Sequence, residues 1–219
     1  MYDRERRSRS YYQRRARVYD WANRFAALLR GESATSERRK AVQRLSLAPG
    51  ARPDGRPSGR VLEVSVGTGT NVPLLAEQTG PEGRIVGLDI SAAMLDRCAR
   101  KLAGRRLSAD LVLGEAAHLP FADDTFDGVL HHGGIAEFGD RKGAIAEMMR
   151  VARPGARVVV CDVGVPTDRR LSLVNRLLLA FQPVYRQHPP IDLVPSDARD
   201  VRLSWFHRGG WYLIEFSKG

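Results

Sequence analysis

The sequence predicts an α/β protein with a doubly wound, mostly parallel β-sheet, and three observations support this fold class. From Arg60 onward, short apolar runs of strand length alternate with segments of helical periodicity, which is typical of parallel strands joined by crossover helices. A glycine-rich loop follows the first run, as at the ligand-binding turn of such sheets. Near the C-terminus, two β-rich runs flank Gly209 and Gly210 and predict a hairpin.

Length and composition predict one structural domain. The 219 residues are 43% hydrophobic, which is enough for one core and short for two. Cys98 and Cys161 have neither a disulfide-framework spacing nor a metal-ligand spacing, so we expect no metal site and a reducing, cytoplasmic location. We also expect no secretory signal and no membrane-spanning helix, because no apolar run approaches roughly 20 residues.

The net charge of +10 comes mostly from the N-terminal segment. Residues 1–40 contain twelve basic and five acidic residues, whereas the remainder contains 23 basic and 20 acidic ones. An arginine-rich leader can bind nucleic acid or anionic lipid, although a charge run is more often a solvated face. We therefore expect no nucleic-acid partner, and peripheral contact with an anionic membrane stays open.

The N-terminal region is predicted to be a helical cap over residues 1–47, followed by a Pro/Gly-rich loop over 48–59. Apolar and aromatic residues recur at helical spacing in Tyr11–Leu29. A second, short helix follows, and its N-cap can be Ser33, Thr35 or Ser36. Its apolar face is supplied by Ala41, Val42 and Leu45. Residues 60–219 then form the core.

The core is predicted to contain five strands and three helices before the hairpin. The strands are expected near 61–66, 84–88, 109–113, 126–131 and 156–162, and the helices near 71–79, 91–103 and 140–152. Thr70 or Asn71 is the expected cap of the first helix and Asp140 of the last. The irregular segment 165–200 is an expected substrate-cap insertion, whose apolar helix covers an acceptor pocket, lies on a membrane or packs on the sheet.

The stretch Val61–Leu75, VLEVSVGTGTNVPLL, places a glycine-rich loop between the first strand and the next helix. Gly67 and Gly69 allow the backbone to approach a ligand without a Cβ in the way. Position 72 is Val72 rather than the third glycine of the dinucleotide fingerprint, which argues against a pyrophosphate ligand.

Three carboxylates accompany this loop. Asp89 ends the second strand, where it can accept hydrogen bonds from two ribose hydroxyls. Glu115 follows the third strand, where it can meet an adenine edge. Glu63 precedes the loop, and its negative charge favours a ligand amine or sulfonium over a phosphate. The set predicts a cationic adenosyl ligand.

Four motifs in order, VLEVSVGTGTN, GLDIS, EAAHLPFADDTFDGV and RVARPGARVVVCD, resemble those of class I S-adenosylmethionine-dependent methyltransferases. The nearest likeness is to the ubiquinone/menaquinone type (methyltransferase type 11) and to small phospholipid N-methyltransferases, over roughly residues 11–217. The resemblance implies a Rossmann-like seven-stranded sheet with an antiparallel C-terminal strand, N-terminal helices over the cleft, and S-adenosylmethionine as cofactor.

The resemblance also implies which residues bind the cofactor. Glu63, Gly67 and Gly69 would lie under its methionine part, Asp89 would bind the ribose, and the residues around adenine would follow the second and third strands. The whole expected set is Glu63, Ser65, Gly67, Thr68, Gly69, Asp89, Ile90, Met94, Glu115, Ala116 and His131.

Ser65 stands where this family usually has glycine. If the position requires a positive φ, serine costs about 1 kcal/mol or more and weakens the cofactor site. With an ordinary backbone, its hydroxyl can bond the amino-acid end of the cofactor. We expect the site to tolerate the change.

Candidate acceptor-activating residues follow the fourth strand, in VLHHGGIAEFGD. Methyl transfer from a sulfonium depends largely on alignment and desolvation, but a phenol-like acceptor benefits from a base such as histidine. His131 and His132 are expected to point to opposite sides of the strand, so at most one faces the cleft; alternatively the pair only shapes the loop. Glu137 would orient the base or meet a cationic acceptor.

Aromatic and histidine residues outside that segment complete the candidates. The resemblance places Tyr19 over the sulfonium, and Tyr11 and Tyr12 are the next candidates for that position. A cation–π contact there would contribute to cofactor binding. The alternative is that these tyrosines belong to a helix that simply packs in the core. His118 is expected beside adenine, and His207 is expected to be structural.

The sequence therefore predicts a methyltransferase that uses S-adenosylmethionine and a small lipophilic or aromatic acceptor: a quinone precursor, a phospholipid amine or a secondary metabolite. The alternatives are an RNA or protein methyltransferase and a non-catalytic binding protein that uses the same fold. The expected partner is the small-molecule acceptor, and a homodimer stays open.

Overall fold

The computed structural model describes residues 34–47, 59–167, 186–206 and 210–219, together with residues 171, 173, 176 and 177. The described α-helices are α1 (Ala34–Gln43), α2 (Val72–Thr79), α3 (Ala92–Ala103) and α4 (Arg141–Val151), and residues 173, 176 and 177 are also helical. The strands are β1 (Arg60–Val64), β2 (Arg84–Asp89), β3 (Asp110–Leu113), β4 (Phe126–His132), β5 (Ala152–Val163), β6 (Arg199–Phe206) and β7 (Trp211–Ser217). Short 3-10 helices cover Ile135–Glu137 and Ile191–Leu193.

The strands form one seven-stranded sheet in the order β3-β2-β1-β4-β5-β7-β6. β1 to β5 are parallel, and β7 pairs antiparallel with both β5 and β6. The predicted fold class, including the antiparallel C-terminal strands, is confirmed. The strand order reverses between β1 and β4, and such a switch point opens a crevice at the carboxyl ends of the strands.

Both faces of the sheet are covered by apolar residues, as the alternation along β1 illustrates. Leu62 belongs to the core on one face, together with Phe126 and the helix α4 residue Met148. Val61 belongs to the core on the other face, with residues from α1, α2 and α3. The strands at the centre of the sheet are therefore buried on both sides, which is typical of a parallel sheet.

Helix α1 lies where the second N-terminal helix was predicted, but it already begins at Ala34, so Thr35 and Ser36 lie within the helix and are not its N-caps; Ser33 lies outside the described residues. Ala41, Val42 and Leu45 are at most 1% exposed and pack in the same core as Leu130 of β4.

The proposed cap residues Asp140 and Asn71 differ in what their side chains bond. Asp140 accepts a hydrogen bond from the Gly143 amide at 2.7 Å, as a helix N-cap does. Asn71 occupies the N-cap position of α2, but its side chain makes no capping hydrogen bond. Its amide donates a hydrogen bond to Glu63 instead, so Asn71 occupies the predicted cap position, but its side chain does not bond the helix amides.

Several predicted features lie outside the described residues. These are the helix over Tyr11–Leu29 with Tyr11, Tyr12 and Tyr19, the loop over 48–58, most of the apolar helix predicted in the 165–200 segment, and His207. Among the residues that are described, no helix has the length and apolarity needed to cross a membrane.

Candidate functional site

A cavity that opens to solvent lies at the carboxyl ends of β1 to β4. Its wall brings together residues that directly follow four different strands, which is where the switch point of the sheet predicts a ligand site. Eight of the predicted site residues line it: Ser65, Gly67, Asp89, Ile90, Met94, Glu115, Ala116 and Glu137. The side chains that follow each strand in sequence are therefore neighbours in space.

The loop after β1 has an unusual backbone. Ser65, Gly67 and Gly69 have φ values of 61°, 55° and 72°. Gly69 is also required for space, because a Cβ there would lie 2.5 Å from the Sγ atom of Cys98. The loop therefore turns tightly over α3, and Ser65 adopts a conformation that favours glycine.

Asp89 connects this loop to the end of β2. Its two carboxylate oxygens accept hydrogen bonds from the amides of Gly67 and Ser91, at 2.8 and 2.9 Å. Burial raises the pKa of this carboxyl above its ordinary value. Each carboxylate oxygen has a further lone pair, so Asp89 can hold the loop and still accept hydrogen bonds from ligand hydroxyls.

Glu63 is buried beside the loop, although it does not appear on the cavity wall. Its Oε1 accepts a hydrogen bond from the Asn71 amide at 2.6 Å, and Asn71 accepts one from Arg38 at 2.8 Å. Within the described residues, its Oε2 has no hydrogen-bond partner. Burial raises the pKa of Glu63 to about 7, so this carboxyl is a poorly solvated acceptor that a ligand amine or cation would stabilise.

The adenine-side candidates differ in exposure. Glu115 and Ala116 line the cavity, and the side chain of Glu115 is 23% exposed. The side chain of His118 lies 3.8 Å from Glu115 but is 76% exposed. His118 is therefore on the outer side of this segment and does not appear on the cavity wall.

His131 is buried in the sheet. Its Nδ1 lies 3.0 Å from the carbonyl oxygen of Val64, and its ring contacts Phe138 at a centroid distance of 5.1 Å. Because a carbonyl only accepts, Nδ1 carries the proton of the neutral ring. Burial lowers the pKa of His131 to about 3, so this histidine is uncharged around neutral pH.

His132 points to the other face of the sheet, as the strand alternation predicts. Its Nε2 lies 3.2 Å from Oε1 of Glu37 in α1, and its ring lies 5.2 Å from that of Trp211. Burial, followed by the charge of Arg38, lowers its pKa. Neither histidine appears on the cavity wall, and nor do Thr68 and Gly69.

Asp162 supports the loop after β4 and was not predicted. Its carboxylate accepts hydrogen bonds from the amides of Gly134, Ala136 and Val163, and this loop carries Glu137 to the cavity. Burial raises the pKa of Asp162 to about 7. The sequence did contain a sign of this role, because Asp162 is a charged residue inside the apolar run VVVCDV. A carboxylate buried in such a run needs hydrogen-bond donors around it.

Residues 61–155 match a family model described as a methyltransferase domain. The demethylmenaquinone methyltransferase of Corynebacterium kroppenstedtii is 36% identical over 115 residues, which cover 52% of this chain and 46% of that protein. The ubiquinone/menaquinone biosynthesis C-methyltransferase UbiE of Geobacter sulfurreducens is 40% identical over 115 residues, with coverages of 51% and 44%. The chain thus spans about half the length of the curated relatives it matches.

Solved structures share the fold at low sequence identity. Phosphoethanolamine N-methyltransferase 2 of Haemonchus contortus, in complex with phosphomonomethylethanolamine and S-adenosylhomocysteine, has a TM-score of 0.69 at 13% identity, over 93% of this chain and 58% of that one. The [4+2]-cyclase SpnF has a TM-score of 0.58 at 18% identity, with coverages of 84% and 80%. One fold therefore carries different reactions, and the site has to be judged on its residues.

Proposed function

We propose that this chain, whose residues 61–155 match a methyltransferase domain, is a class I S-adenosylmethionine-dependent methyltransferase acting on a small lipophilic or aromatic acceptor. The observation that supports this most is the single cavity that brings together residues of the glycine loop, the end of β2 and the segment after β3. These are the three places at which the sequence motifs of the family predict cofactor contacts.

The described residues fit this cofactor. Asp89 would accept hydrogen bonds from the ribose hydroxyls, and the adenine would lie near Ile90, Glu115 and Ala116. Glu63 would stabilise the positive charge at the methionine end, since its Oε2 has no hydrogen-bond partner in the described part of the chain. We also assign Ser65, Gly67, Thr68, Gly69, Met94 and His131 to the cofactor site, either at its wall or in its support.

S-adenosylmethionine, when bound, supplies a methyl group that its sulfonium already activates. The chain has to align the acceptor with that methyl group and exclude water. Glu137 reaches the cavity from the loop that Asp162 holds, so we propose that it orients the acceptor or meets its positive charge. We retain His131, His132 and Tyr19 as further candidates, and the burial of both histidines favours a supporting role.

A quinone precursor is the first acceptor to test. The matched relatives are named for demethylmenaquinone and for ubiquinone/menaquinone biosynthesis, and a phosphoethanolamine methyltransferase shares the fold. An amine of the phosphoethanolamine type, free or in a phospholipid, is therefore the second choice. The comparison of reduced demethylmenaquinone with phosphoethanolamine in a methyl-transfer assay separates carbon from nitrogen acceptors.

We place the protein in the cytoplasm, because both cysteines are free thiols and buried. The acceptor is the proposed partner, and contact with an anionic membrane or a homodimer is compatible with the charge and size of the chain. No nucleic-acid partner is part of the proposal.

The first experiment is a calorimetric titration with S-adenosylmethionine and, separately, S-adenosylhomocysteine. We expect micromolar binding of both, and a loss of roughly tenfold or more in Asp89→Asn, because charge-assisted hydrogen bonds to a ligand hydroxyl contribute about 1.5–3 kcal/mol. Asp110→Asn, at an exposed strand position, is the matched control. Absence of binding of either compound to the folded wild-type chain would refute the proposal.

A further inference from the structure

A second cluster of reactive side chains lies outside the cavity, under helix α1. Glu37 comes from the first turn of α1, His132 ends β4, and Cys161 pairs with His132 in the register of β4 and β5. The ligand atoms of these three residues all lie within 4.8 Å of one another, and all three residues are buried. A carboxylate, an imidazole and a thiol thus converge in the interior.

The hydrogen bonds of His132 are incomplete. Its Nδ1 has no side-chain partner among the described residues, and its Nε2 meets only the Glu37 carboxylate at 3.2 Å, in a geometry short of a good hydrogen bond, although the side chain is only 1% exposed. A buried polar group without a partner costs about 1–3 kcal/mol. In native proteins such groups call for an explanation, and one explanation is an ion that completes the site.

The distances suit a tetrahedral transition metal. Two ligands that each lie about 2.0–2.1 Å from such an ion are themselves about 3.3 Å apart, and the Glu37 oxygen lies 3.2 Å from the His132 nitrogen. Cys161 completes three ligands with a modest side-chain shift, because its Sγ is within 4.8 Å of both.

Ligand type and charge favour the same class of ion. Thiolate and imidazole select zinc and its neighbours over magnesium and calcium, which prefer oxygen ligands. One carboxylate, one thiolate and a neutral imidazole balance a divalent ion to zero net charge, which suits a buried position. The sequence did not reveal the set because its members are 95 and 29 residues apart.

We propose that Glu37, His132 and Cys161 form a binding site for a divalent transition metal of the zinc type, which fastens α1 to the carboxyl ends of β4 and β5. Three protein ligands leave a fourth coordination position. None of the three residues is among those assigned to the cofactor, and the metal ligation gives the buried His132 a supporting role that does not depend on the proposed methyltransferase activity.

The test is a titration of the full, chelator-treated chain with cobalt(II), which takes zinc positions and gives visible absorption. We expect one equivalent to bind, with the bands of a tetrahedral ion and a near-ultraviolet thiolate-to-cobalt band that zinc removes. Cys161→Ala should abolish the thiolate band. Cys98→Ala is the matched control, since Cys98 is the other cysteine in the sequence, and it should keep the band.

His132→Ala and Glu37→Gln should each weaken the cobalt affinity roughly tenfold or more, since even loss of a residue behind a ligand costs 10–100-fold. His118→Ala, at an exposed histidine, should leave it unchanged. Failure of the folded wild-type chain to bind one equivalent would overturn the proposal, as would a thiolate band that persists in Cys161→Ala. If Cys161→Ala does not fold, the wild-type spectrum and the Glu37→Gln affinity decide.

Discussion

At the scale of single residues, Ser65 has the most unusual backbone in the site. It follows β1 directly, lines the cavity and has a φ of 61°. L-residues reach this region at a cost of about 1–2 kcal/mol, because Cβ approaches the neighbouring carbonyl oxygen. Ser65 therefore carries conformational strain at the position where the chain meets its ligand, which is where proteins commonly tolerate it.

Ser65→Gly should raise the free energy of unfolding by about 0.5–1 kcal/mol. Glycine removes the strain, and part of that gain is offset by the larger entropy of the unfolded glycine chain. Urea denaturation measures the change. Ser108→Gly is the matched control, because Ser108 is exposed and has no positive φ. An equal change in both variants would show that Ser65 is not strained.

The residues that were predictable at this scale are those next to strand ends. Asp89 and Glu115 could be placed from sequence because a parallel sheet gathers its strand ends at one edge. The role of Asn71 could not, because its partner Arg38 lies 33 residues away on α1. Glu37 escaped notice for the same reason: its neighbour His132 is brought to it only by the packing of α1.

At the scale of elements, helix α1 raises the question of whether it belongs to the core. Leu45, which follows the helix, is 1% exposed and packs among residues of β1, β4 and α2. Arg39 pairs with Glu77 of α2 at 2.6 Å, but both side chains are about half exposed, and such surface pairs contribute little. We propose that apolar burial makes α1 part of one structural domain with residues 60–219.

Leu45→Ala should lower the free energy of unfolding by about 2–5 kcal/mol, the usual cost of truncating a fully buried leucine. The measurement is urea denaturation followed by far-ultraviolet circular dichroism. Leu113→Ala is the matched control, because Leu113 is 53% exposed. A similar, small loss of unfolding free energy in the two variants would contradict this proposal. It would show that α1 is a separate cap on the core and not part of it.

Most core elements were predicted to within two residues, and β5 is the exception. It was expected over 156–162, but it spans Ala152–Val163. Arg153, Pro154 and Gly155 suggested a loop after α4. In the structure the chain passes from α4 directly into the strand, and Ala152 already pairs with Phe126. The shift in register between Phe126 and Gly128 accommodates the added residues, and a shift of that kind has no clear sequence signature.

At the scale of the whole molecule, buried carboxyl groups contribute to the dependence of stability on pH. Burial raises the pKa of Glu63 from 4.5 to about 7. The folded state then holds a proton that the unfolded state has released, so stability falls as pH rises between these two values. The contribution is fully present below about pH 4.5 and is lost above about pH 7, at up to about 1.4 kcal/mol per pH unit.

Glu63→Gln should flatten this dependence, because the amide is neutral at every pH and its oxygen can still accept from Asn71. The free energy of unfolding of the variant relative to wild type should therefore rise between about pH 5 and about pH 8. Urea denaturation at several pH values measures it. Glu82→Gln, at an exposed position, is the control, and a constant difference for Glu63→Gln would contradict the assignment.

The contact between Gly69 and Cys98 gives the molecule an intrinsic reporter. The thiol is completely buried beneath the glycine loop, and there is no room for even one more carbon atom between them. A thiol reagent reaches Cys98 only when the loop lifts away from α3. The labelling rate of this cysteine therefore reports how often the loop opens, and a ligand that holds the loop closed would lower that rate.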